Sequence, residues 1–115
     1  MAKAIGVWIL GDKLKDLIYT VKNVDGTNRD LTGHTVKLQG RRYRDAATLA
    51  IDISGTVAPD QVIDRGKVTF SDITAGLSLE GQRQQTFECR VKVTLTAGSL
   101  PGYTNPFDIG VEAWP

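Results

Sequence analysis

Gln85-Thr86-Phe87-Glu88-Cys89-Arg90-Val91-Lys92-Val93-Thr94-Leu95-Thr96 is the stretch on which the fold turns. Phe87, Cys89, Val91, Val93 and Leu95 fall on one side of an extended chain, and Glu88, Arg90, Lys92 and Thr94 fall on the other. Successive side chains of a strand point to opposite faces, so this alternation predicts a strand with one buried and one wet face. Residues 104–114 repeat the pattern, with Phe107, Ile109, Val111 and Ala113 set against Asp108, Gly110 and Glu112. The turn-rich segment 97–102 lies between the two, which predicts a hairpin.

Working towards the N-terminus, the same period of two recurs. It appears at Val68 and Phe70, at Leu49, Ile51 and Ile53, at Val36 and Leu38, and at Leu17, Tyr19 and Val21. Counting residues 4–10 as a further strand gives about seven, spaced roughly 10 to 18 residues apart, with no helical segment long enough to cross over between parallel strands. An all-β antiparallel sandwich of immunoglobulin-like type is the expected fold, with residues 1–115 as one domain and residues 1–13 as an edge strand or arm. Residues 71–81 break the rhythm, and the loose spacing of Ile73, Leu77 and Leu79 predicts a single helical turn over one end of the sandwich. An edge strand at residues 4–10 would leave backbone donors and acceptors open. Either it pairs within its own sheet, or a neighbouring subunit adds a strand to it.

Composition narrows the function. The 115 residues carry 14 Lys and Arg against 13 Asp and Glu, a net charge of +1, which is not the basic excess of a nucleic-acid binder. The longest apolar run, residues 4–10, is far below the roughly 20 residues that span a bilayer, and no secretory signal pattern follows it. A lone Cys89 permits no internal disulfide, so packing must supply the stability.

Val24-Asp25-Gly26-Thr27-Asn28-Arg29-Asp30-Leu31-Thr32-Gly33-His34-Thr35-Val36-Lys37-Leu38 resembles a signature of immunoglobulin-like domains in tailed-phage virion proteins, notably the N-terminal domain of phage baseplate upper proteins. There a strand, an Asp-Gly turn and an Asp-Leu-Thr-Gly step lead into the next strand. Gly66-Lys67-Val68-Thr69-Phe70 and Pro106-Phe107-Asp108-Ile109-Gly110-Val111-Glu112 look like the family's mid-domain and closing strands, so the similarity covers about residues 16–112. The resemblance implies a non-enzymatic structural module of a tail or baseplate, made in the host cytoplasm and carried in the virion. Its partners would be other virion proteins and copies of itself. Ending at Pro115, the domain also suits a capsid decoration protein. Independently of any family, Asp30 is placed to accept backbone hydrogen bonds, Leu31 to plug the end of the sandwich, and Gly33 to supply a positive φ.

No catalytic, cofactor or metal site is expected. His34 reads as a strand-entry residue with one ring nitrogen bonded to backbone. Cys89 shares the face of Phe87 and Val91 and reads as core. Asp25, Asn28 and Asp30 read as turn formers, since their spacing is not that of a calcium loop. The candidate protein interface is Trp8, Trp114 and the basic run Arg41, Arg42, Tyr43 and Arg44, because Arg and aromatic residues dominate interface energetics. Trp8, Tyr43, Tyr103 and Trp114 are also the aromatic platforms that a carbohydrate-binding module at the host surface would use.

Overall fold

The structure, a computed structural model, describes residues 4–42, 49–94, 102–104 and 106–113. These form nine strands: β1 (Ala4–Ile9), β2 (Leu17–Thr20), β3 (Thr35–Arg42), β4 (Ile51–Ser54), β5 (Thr56–Val57), β6 (Lys67–Phe70), β7 (Gln84–Thr94), β8 (Gly102–Tyr103) and β9 (Phe107–Glu112). The larger sheet runs β1-β9-β7-β3-β4, with β8 also pairing β7, and the smaller sheet runs β2-β6-β5. No helix occurs among the described residues, and segment 71–81 is built from turns instead of the expected helical turn.

β7 is the axis of the larger sheet because its alternation is the longest. It pairs antiparallel with β3 from Arg42↔Phe87 to Thr35↔Thr94, and with β9 from Gln84↔Glu112 to Cys89↔Phe107. The predicted hairpin partner of β7 is thus present but divided. β8 pairs at Lys92↔Tyr103, and β9 takes over from Phe107. Between them the Thr104 hydroxyl accepts the Val91 N–H at 2.9 Å, so a side chain replaces one rung of the ladder.

One expectation is corrected. The sheets are not wholly antiparallel, because β1 lies parallel to β9, with Val7↔Gly110 and Trp8↔Val111 in register. β1 therefore pairs within its own sheet and forms one edge of it.

The two sheets close on one apolar cluster. Trp8, Phe87, Val91, Ile109 and Val111 come from the larger sheet, Leu17, Val68 and Phe70 from the smaller, and Leu31, Ile73 and Leu79 from the connections. Leu31 is fully buried and plugs one end, as its sequence context predicts. Tyr19 and Phe107 stack across the sheets with ring centroids 5.2 Å apart. Gly55 is the only residue between β4 and β5, where the chain passes from one sheet to the other. A Cβ there would sit 2.6 Å from both Phe70 Cε1 and Val68 Cγ2, so only glycine allows so abrupt a step.

Candidate functional site

Of the interface set expected from sequence, the structure describes Trp8, Arg41 and Arg42. Trp8 is 2% exposed and belongs to the core, so it presents no ring to a neighbour. Its indole Nε1 donates to the Lys15 carbonyl at 3.0 Å. The Lys15 ammonium lies 4.5 Å above the ring and donates to the Val7 carbonyl, which covers part of the open edge of β1. The reason for the burial is positional: Trp8 stands opposite Val111, whose side chain faces inward with Ile109 and Phe107.

Arg41 and Arg42 do not form a free basic patch. Arg41 donates from Nε and Nη2 to one Glu88 carboxylate oxygen, at 3.0 and 2.6 Å, an exposed pair worth about 0–1 kcal/mol. Arg42 Nη2 donates to the Ser78 carbonyl at 2.7 Å and lies 3.6 Å from Glu80, fastening the turn-rich segment 71–81 to the end of β3. Arg41 occupies the outer face of the sheet and Trp8 the inner. Tyr43, Arg44 and Trp114 lie outside the described residues. Of the remaining aromatic platforms, Tyr103 is about half exposed and carries the Arg90 guanidinium 3.8 Å above its ring.

Chemistry concentrates instead where the β2–β3 and β5–β6 connections meet, and Gln61 is the reason. Gln61 is 8% exposed, and its Oε1 accepts the Leu31 and Gly66 N–H groups, both at 3.0 Å. Its Nε2 donates to the carbonyls of Ala58 at 2.8 Å and Asp64 at 3.4 Å. A single amide thus replaces the strand ladder that these buried backbone groups lack. The Val21 N–H adds a bond to the Gly66 carbonyl, and the Arg29 N–H one to the Val21 carbonyl. Gly66, at φ 82°, lies so close that a Cβ would be 2.6 Å from the Val21 carbonyl oxygen.

On this frame the next residues are forced outward. Asp60 Oδ1 accepts the N–H groups of Val62 and Ile63 at 3.0 and 3.1 Å, fixing a turn whose two apolar side chains are 83% and 80% exposed. Val24, on the facing connection, is fully exposed as well. Sequence reading missed Gln61, Val62 and Ile63. A usable signal exists in Pro59-Asp60 placed before an apolar pair with no alternation around it, a turn initiator followed by residues that no strand can bury.

The turn carboxylates act locally. Asp25 Oδ1 accepts the Thr27 N–H and hydroxyl, and Asp30 Oδ1 does the same for Thr32. These bonds, led by the hydroxyl donors, hold both carboxyls below their ordinary range. His34 Nδ1 lies 2.8 Å from the Thr32 carbonyl, the backbone contact expected of it.

Cys89 is 1% exposed and sits in the core. Burial pushes its thiol from the ordinary 9.0 up to about 12, and the Asp108 and Glu88 carboxylates push in the same direction. The native protein is therefore expected to resist iodoacetamide until it unfolds. The sign for stability follows: the unfolded thiol ionises first, so this contribution is complete below about pH 9 and is lost as pH rises towards 12. Alkaline denaturation curves are expected to lose roughly 1 kcal/mol per pH unit over that window from this group, and Cys89→Ala to flatten that part of the profile.

No family model, curated protein or solved structure matches the chain.

Proposed function

We propose that the protein is a non-enzymatic structural component of a phage particle, a tail or baseplate subunit or adaptor with an immunoglobulin-like sandwich, acting through protein–protein contacts. The observation that carries the contact role is the exposed Val62–Ile63 tip on a hydrogen-bonded frame. Exposed apolar side chains on a pre-ordered loop lose little conformational entropy when a partner covers them, which is how rigid interfaces gain affinity. The resemblance of residues 24–38 to phage virion domains supports the setting, and it points to other virion proteins and further copies of this chain as partners.

The test combines fractionation with substitution. Wild-type protein is expected to co-sediment with separated tails; sedimentation with heads alone would assign it to capsid decoration, and sedimentation with neither would refute the virion reading. Val62→Ser combined with Ile63→Ser is expected to leave stability within about 0.5 kcal/mol, because neither side chain is buried, while abolishing co-sedimentation. Undiminished attachment of that variant would remove the loop from the interface.

A further inference from the structure

Beside the Val62–Ile63 tip, an open hollow of about 600 Å³ is lined by Asn23, Thr27, Asn28, Arg29, Asp30, His34 and Arg65. Its two arginines have few direct partners. Among the described residues, neither Arg29 nor Arg65 takes part in an ion pair. Among the described residues the Arg29 Nε is buried without a hydrogen-bond acceptor, and the Arg65 guanidinium makes one hydrogen bond, 3.3 Å from Nε to the Gln61 carbonyl. A buried N–H of a charged group with no acceptor costs more than almost any other unmet hydrogen bond, and an external acceptor relieves that cost.

The two arginines are also pre-positioned. Gly66, next to Arg65, packs against the Arg29 backbone, and the Gln61 amide fastens both connections together. His34 is oriented by donating its Nδ1–H to the Thr32 carbonyl, which leaves Nε2 of the neutral ring as an acceptor, suited to a P–OH group of a protonated phosphate. One carboxylate, Asp30, lines the hollow; its Oδ1 accepts from Thr32, and the nearby Arg65 and His34 help to hold its carboxyl below the ordinary range, so an anion must be held against this one negative charge.

We propose that this hollow binds a phosphate-type tetrahedral oxyanion, held by Arg29 and Arg65 with His34 at the rim. Guanidinium groups on two separate backbone positions suit an anion whose oxygens point several ways, as those of a tetrahedral oxyanion do. The assignment stands whether or not the Val62–Ile63 tip docks on a particle.

The experiment follows the Arg Nε–H and His34 ring signals of the labelled full chain by NMR during titration with inorganic phosphate, and separately with glycerol 1-phosphate. Saturable shifts at Arg29, Arg65 and His34 are expected, with a dissociation constant of roughly millimolar or below. Binding of either ligand supports the site, and the tighter one tells a free anion from a phosphate carried on a larger molecule. Arg65→Gln, at an exposed position, is expected to weaken binding about tenfold with the fold intact, and Arg29→Gln to do the same. The proposal is overturned by absence of saturation up to about 20 mM, by equal shifts from acetate at matched ionic strength, or by binding that survives both substitutions.

Discussion

Trp8→Ala is expected to cost about 3–5 kcal/mol of folding stability, read as a lower denaturant midpoint, because it empties the largest side chain of the core. The ring lies between the two sheets on the face that carries Val111, so its loss removes apolar packing that backs the β1–β9 ladder. A smaller loss is expected for Trp8→Phe, which keeps most of the apolar volume but removes the indole N–H bonded to the Lys15 carbonyl. The alanine variant is also expected to free the 12–16 connection, since Lys15 contacts both the ring and the Val7 carbonyl. A tryptophan serving an interface would behave oppositely, with attachment lost and stability unchanged. Near-wild-type stability of Trp8→Ala would therefore contradict the buried position.

Gln61→Leu is the second large effect, at about 2–4 kcal/mol, and its cause is polar. Leucine fills much of the same space but accepts nothing, so the buried N–H groups of Leu31 and Gly66 lose their only side-chain acceptor. The carbonyls of Ala58 and Asp64 lose a donor as well. Amide hydrogen exchange at Leu31 and Gly66 provides a local readout beside the midpoint: both are expected to exchange faster in the variant, while core amides such as Val91 keep their relative order of protection. Unchanged exchange at those two positions would show that the amide does not hold the connections together. Since the same frame orders Val62, Ile63, Arg29 and Arg65, Gln61→Leu is expected to weaken the contact surface and the anion hollow without touching either directly.

Cys89 and Trp8 show how far the sequence could be read. Cys89 was placed correctly because its neighbours at positions 87 and 91 are apolar and the period is unambiguous over ten residues. Trp8 sits in a run in which Ile5, Val7, Ile9 and Leu10 are all apolar, so alternation could not choose its face; the register against β9 chose it. The partner of Arg41 was not legible for a related reason. Charge on a strand says only that one face is wet, and Arg41 finds Glu88 47 residues away because β3 and β7 are neighbours in the sheet.

The anion hollow and the apolar tip were the least legible. They are assembled from residues 23–34 and 60–65, two segments whose turn chemistry was readable one at a time: Asp25-Gly26, Asp30 before Gly33, and Arg65-Gly66. Nothing in either segment announces the other. Their contact depends on Gln61, a residue whose type is common in exposed loops and whose burial is created by the two connections closing over it.

By itself the sequence determined that this chain is all-β, where most strands lie, and which side chains of β3, β6, β7 and β9 face the core, because a period of two is written into every half-buried strand. Only the tertiary structure decided the parallel placement of β1 on β9, the burial of Trp8, the pairing of Arg41 and Arg42, and the meeting of two connections around one amide. Alternation records which face a residue occupies; it carries no record of which distant strand lies alongside or in which direction that strand runs.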